Sequence, residues 1–303
     1  MTDSRSSGAP FARKAVVSAL ERAHDAFVAI RQWSADGART ASFLKERARF
    51  LPRSSDVYVA TYPRSGTTWM QFLVHLLTSD RRLDFRHISE VTPWFERSLA
   101  LGTRTAADFS ALADPRVFKT HLRPEWVPPG RVIHVERDGR DVARSYYGLY
   151  CSHLGYEGSY AEFFDRFMQG RLQYRSWFEH VDAWRRAARE RPILWLRYEE
   201  VRSQPAVAVD RVAGYLELEP SAEDRAQVLR MISRDFMKAH EGLFDPITEH
   251  LIDHGLQPGR FIGSGEGGKS SLSPEQERRY SRRLYEARAS RWAPFWRLPD
   301  FLH

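Results

Sequence analysis

Cysteine is almost absent. Cys151 stands alone in 303 residues, so no disulfide forms within the chain, and a reducing, cytoplasmic setting is expected. Long apolar runs are absent as well. The longest, around residues 69–77, is interrupted by Gln71 and His75, whereas a bilayer span needs about 20 apolar residues. Residues 1–14 have no apolar core of the kind that a secretory leader carries. Metal-ligand spacing is lacking too: His87, His240, His250 and His254 are scattered, so no bound metal is expected. No internal repeat and no Pro- or Gly-rich linker divides the chain, which is long enough for one sizeable core.

Charge is present, but unevenly. The formal net charge is +7, and residues 1–53 alone hold ten Lys and Arg against five Asp and Glu. A basic arm is not a basic groove, so nucleic-acid binding is not expected. Within the arm, Val16, Leu20, Ala23, Phe27 and Ile30 recur at helical spacing, with Arg13, Lys14, Arg22 and Arg31 on other faces. A second helical piece is predicted over 41–50. The reading is a basic helical arm at 1–53, packed on the body or a partner chain, followed by one domain at 54–303. Contact with a membrane surface is the sharper alternative for the arm. Oligomeric state is not legible.

After the arm, short β-branched and aromatic runs at 56–61, 117–120, 132–136 and 193–196 alternate with longer helical stretches near 138–149, 160–169, 172–189, 206–216, 222–232 and 274–290. That alternation predicts an α/β domain, a central mostly parallel sheet flanked by helices on both faces. The segment 259–273, rich in Gly and Ser, reads as a loop.

Three segments carry chemistry. The first is Tyr62-Pro-Arg-Ser-Gly-Thr-Thr68, set between a strand and a helix that opens at Trp69. Backbone N–H groups at a helix N-terminus face an anion, and the helix dipole favours it. Gly66 permits close approach, Ser65, Thr67 and Thr68 add hydroxyls, and Arg64 adds fixed charge. The Gly-Lys-Ser/Thr ending of nucleotide triphosphatases is missing. The second segment runs from Arg137 at a strand end to Ser145, about two helical turns on, so the two side chains can converge on one phosphate; Asp138 is a fitting helix cap. The third is Phe118-Lys-Thr-His-Leu122, where Lys119 and His121, two positions apart, share a side of the strand. One offsets negative charge and the other takes a proton.

In this order and spacing, with Ser176-Trp-Phe-Glu-His-Val181, Trp184 and Arg197-Tyr-Glu-Glu200, these segments resemble the cytosolic-type sulfotransferases over roughly residues 56–280. The resemblance implies a three-layer, P-loop-like nucleotide-binding domain. Its donor would be 3′-phosphoadenosine 5′-phosphosulfate (PAPS), leaving the bisphosphate PAP as product, with no metal. It implies Arg64, Ser65, Gly66, Thr67 and Thr68 on the phosphosulfate, Trp69 on the adenine with Tyr198 near its edge, and Arg137 and Ser145 on the 3′-phosphate. His121 would be the general base, and Lys119 and Arg64 would stabilise charge on the reacting groups. Sulfuryl transfer resembles phosphoryl transfer in placing the work on positioning and electrostatics.

The chain departs from the family pattern in two places. Arg64 stands where a Lys is common and reads as an electrostatic clamp. Gly263 and Ser264 stand where an Arg and a Lys are expected, leaving Arg260, Gly265 and Lys269 as candidates for the donor there. For the acceptor, expected to be a small hydrophobic alcohol or phenol, the candidates are Trp94, Phe95, Tyr146, Tyr147 and Tyr150. The competing readings are a nucleotide kinase or hydrolase, an enzyme that sulfates in order to eliminate, and a non-catalytic PAP-binding protein.

Overall fold

The computed structural model describes residues 36–244 and 272–289. In chain order, helix α1 covers 36–49. Strand β1 (Val57–Thr61), α2 (Thr67–Thr78), α3 (Phe95–Leu101), α4 (Ala106–Ser110), β2 (Val117–Thr120), β3 (Arg131–Glu136) and α5 (Gly139–Leu154) follow. Then come α6 (Tyr160–Met168), α7 (Trp177–Ala187), β4 (Ile193–Arg197), α8 (Tyr198–Ser203), α9 (Pro205–Tyr215), α10 (Ala222–Met231), α11 (Arg234–Ala239) and α12 (Pro274–Ala289).

The four strands lie in the order β2-β1-β3-β4, and every pairing is parallel. A strand covered on both faces reads as a continuous apolar run, and all five residues of β1 are buried. Its side chains alternate between two cores. Val57 and Val59 join Phe72, Leu73, Val209 and Val212 under α2 and α9. Tyr58 and Ala60 join Phe95, Phe118, Phe163 and Trp184 on the opposite face. The expected three layers follow from that alternation.

Beneath β1 and β2 lies a fully buried ion pair. Arg116 donates through Nε and Nη2 to the two Asp56 carboxylate oxygens, at 2.7 Å each. The guanidinium also sits 4.8 Å from the Phe50 ring centroid. Two oxygens and two parallel donors give the bidentate geometry that offsets desolvation.

Element boundaries moved in two informative places. Helix α7 begins at Trp177, not at residue 172, because Tyr174 and Arg175 adopt positive φ and break the helical path. Helix α5 runs past residue 149 to Leu154 and stops where Gly155 takes the left-handed conformation. The expected helix at 11–34 and the candidates Arg260, Gly265 and Lys269 lie outside the described residues.

Candidate active site

The loop between β1 and α2 turns sharply. Arg64 and Gly66 have φ of 67° and 92°. Gly66 is the N-cap of α2, and no side chain caps the helix there, so its first N–H groups face outward for a ligand. A Cβ on residue 66 would lie 2.7 Å from Cδ2 of Tyr198, so glycine is demanded by backbone conformation and by space. Ser65 is buried, and its Oγ has no hydrogen-bond partner among the described residues. An orphaned hydroxyl beside free helix N–H groups fits an oxyanion. The Thr67 hydroxyl instead pairs with that of Thr61 at 2.6 Å, tying the helix start to the strand end. Thr68 is half-buried on the first turn.

The second segment closes on the first. Asp138 caps α5, its Oδ1 accepting the Arg140 N–H at 2.8 Å. Arg137, released at the end of β3, donates from Nη1 to the Arg64 carbonyl at 2.9 Å. Its guanidinium carbon lies 4.4 Å from the Tyr198 ring centroid. Ser145, two turns into α5, accepts from Arg64 Nε at 3.0 Å. Two arginines distant in sequence thus flank one loop, and Arg137 Nε has no partner among the described residues. Trp69 is held at the far side by its Nε1–H, which donates to the Ile232 carbonyl at 2.9 Å.

Lys119 and His121 sit at the carboxyl end of β2, both buried. The strand ends at Thr120 because the His121 N–H turns to the Glu96 carboxylate, 2.9 Å away. Nδ1 of His121 lies 2.8 Å from the Thr61 carbonyl. A carbonyl only accepts, so Nδ1 carries the proton and Nε2 holds a free lone pair. Burial, and then the Lys119 charge, hold the imidazole well below its usual pKa, so it stays neutral. Burial also pushes the Lys119 ammonium down to about 7; Glu96 opposes that shift, while Arg97 and Arg64 add to it.

Trp94 joins these groups. The Lys119 N–H donates to the Pro93 carbonyl at 2.9 Å, so the 93–94 segment runs beside β2 as a short parallel bridge. The indole then lies with its centroid 3.8 Å from Lys119 Nζ and 5.1 Å from the His121 ring.

The other acceptor candidates divide. Phe95 has no exposed surface and packs on Phe43, Phe50, Tyr58 and Phe118. It lines no site, because the chain bends at Trp94 and sends the next side chain into the core. Tyr146 is likewise buried, edge-on to Tyr62. Tyr147 and Tyr150 are half-buried and pack around Phe163 of α6.

Three residues of the site were not singled out in the sequence. Glu96 is fully buried, and its Oε1 accepts from the His121 N–H, from Trp94 Nε1 at 2.6 Å and from the Tyr174 hydroxyl at 3.1 Å. Desolvation holds its carboxyl above the usual range. A charged residue directly after two aromatics was the one signal available. His180 donates from Nε2 to the His121 carbonyl at 3.1 Å, and Tyr174 packs on the His121 ring at 5.1 Å; their spacing gives no hint of either contact.

Among the described residues, no cluster of His, Cys, Asp and Glu could hold a metal ion, and no helix is long and apolar enough to cross a membrane.

Comparison with known proteins adds independent findings. A family model described as a sulfotransferase domain matches residues 54–292. Sulfotransferase 1B1 of Canis lupus familiaris is 32% identical over 222 residues, covering 68% of this chain and 74% of that protein. Among solved structures, mouse sulfotransferase SULT7A1 complexed with PAP aligns with a TM-score of 0.65 at 20% identity, covering 84% of this chain and 91% of that one. A retinol dehydratase in complex with retinol and PAP aligns with a TM-score of 0.67 at 21% identity, covering 83% and 88%.

Proposed function

The chain belongs to the sulfotransferase family, and on that premise we propose that it transfers the sulfuryl group of PAPS to a hydroxyl acceptor with His121 as general base. Membership favours sulfuryl transfer over a nucleotide kinase or hydrolase. The observation that carries the base assignment is the His121 tautomer. Nδ1–H is committed to the Thr61 carbonyl, so Nε2 keeps its lone pair, on a ring that lies 5.1 Å from the Trp94 indole over which Lys119 Nζ sits.

The acceptor oxygen attacks sulfur in line as its proton passes to His121 Nε2. A new O–S bond forms, and the bond from sulfur to the bridging phosphate oxygen breaks. Charge grows on that departing oxygen. Lys119, Arg64 and the N–H groups at the start of α2 are the fixed positive groups that meet it. The group in flight carries less charge than a phosphoryl group, so side-chain cations suffice where phosphoryl transfer recruits Mg²⁺.

Ser65, with its orphaned hydroxyl, would bind the phosphosulfate together with Gly66, Thr67 and Thr68. Arg137 and Ser145 would bind the 3′-phosphate, and Trp69 and Tyr198 the adenine. Glu96 and His180 act on the His121 backbone and fix where its ring stands, so they are positioning residues. Trp94 supports an acceptor with an apolar, preferably aromatic, body.

The test pairs turnover with donor binding. His121→Ala should lower kcat by at least about a thousandfold, the scale of a lost general base together with its positioning. Calorimetric affinity for PAP should stay nearly unchanged. Retained turnover, or lost PAP binding in a folded variant, would contradict the assignment.

A further inference from the structure

Arg97 has no task in the chemistry above. It follows Glu96 on α3, is half-buried, and makes no ion pair or hydrogen bond among the described residues. Its guanidinium carbon lies 5.1 Å from the Trp94 ring centroid. The same indole touches the His121 ring at 5.1 Å and Lys119 Nζ at 3.8 Å. Two 5.1 Å steps keep the guanidinium within about 10 Å of the His121 ring.

Two cations therefore share one indole, and Arg97 adds to the downward push on the Lys119 ammonium. The one carboxylate directly beside it in sequence, Glu96, is turned inward to three other donors. Like charges brought to one indole repel, and a ligand of opposite charge relieves that repulsion. The donor is one source of negative charge, but its loop already has Arg64 and Arg137. Arg97 instead lies on the segment that places Trp94 against the general base, where the acceptor must sit.

We propose that Arg97 selects acceptors carrying an oxyanion, such as a carboxylate, about one aromatic ring away from the hydroxyl that is sulfated. The inference rests on the transfer reading and narrows its acceptor class. An aromatic body would lie along Trp94, with the hydroxyl toward His121 Nε2 and the anion toward the guanidinium, whose planar fork suits a carboxylate.

The experiment compares 4-hydroxybenzoate with its methyl ester as acceptors, in wild type, Arg97→Gln and Arg97→Lys. In wild type the kcat/KM ratio should favour the carboxylate. Arg97→Gln should cut that ratio by roughly tenfold to a hundredfold, the scale of a lost charge-assisted pair, and Arg97→Lys should restore part of it. The same ratio in wild type and Arg97→Gln would overturn the proposal. So would an equal loss with both acceptors accompanied by weaker PAP binding, which would assign Arg97 to the donor. Benzoate binding to the PAP-loaded protein, followed by calorimetry, decides the matter without turnover: binding that disappears in Arg97→Gln supports the proposal, and its absence in wild type overturns it. Failure of both phenols to react, with Arg97-dependent benzoate binding intact, would count against the transfer reading and leave the anion site standing.

Discussion

Donor binding should depend on pH through Lys119. In the free protein the buried amine titrates near 7, because desolvation disfavours its charged form. A bound polyanion favours that form and raises the pKa in the complex. The sign follows directly. The group binds its proton more tightly in the complex, so affinity is fully present below pH 7 and is lost as pH rises toward the pKa of the complex. If the amine stays protonated in the complex up to pH 9, the free-state factor 1 + 10^(pH − pKa) grows from about 2 to about 100 between pH 7 and 9. Affinity for PAP then falls about 50-fold, or about 2.3 kcal/mol. Phosphate ionisation, with its second pKa of about 6, is nearly complete across that range and does not mask the effect. Calorimetric titration with PAP from pH 6 to 9, in buffers of different ionisation enthalpy, reads both the affinity and the proton taken up. Lys119→Met should flatten the profile above pH 7. A flat wild-type profile, or the same slope in Lys119→Met, would refute the argument. The same cause predicts that Lys119→Met raises the Tm of the free protein at pH 7, because it removes an amine that prefers water.

Other outcomes follow from the geometry. Gly66→Ala should weaken PAP binding at least about tenfold, because the new Cβ meets Tyr198 and the left-handed backbone resists a side chain; titration of the folded variant checks it. Arg137→Ala removes the proposed charge-assisted contact to the donor and, with it, the hydrogen bond to the Arg64 carbonyl. Its PAP affinity should fall roughly tenfold to a hundredfold. Asp56→Asn breaks the buried pair with Arg116 and should cost about 3–5 kcal/mol of stability in denaturant unfolding. The pair lies far from the loop ends, so turnover per folded molecule should be retained.

Local chemistry in the chain was enough to announce the fold and the pieces of the site. Runs such as Val57–Thr61 are apolar up to the last position and buried at every one, which only a strand covered on both faces tolerates. Gly66 between a strand and a helix marks an anion loop, because both its conformational freedom and its lack of a Cβ are properties of that one residue. Lys119 and His121 share a side because strand geometry has a period of two. Each of these signals is complete within a few neighbouring residues. The tertiary structure decided what no short segment contains. Parallel pairing of β1 with β2 and β3 brings Arg64, Arg137 and Ser145 into one hydrogen-bonded group. A segment laid along the edge of β2 turns Trp94 toward His121, sends Phe95 into the core and buries Glu96 as the anchor of three donors. Burial, and not residue type, sets the ionisation of Lys119 and His121. Desolvation and long-range contact are properties of the packed molecule, which is why the sequence names these side chains while only the fold sets their charge.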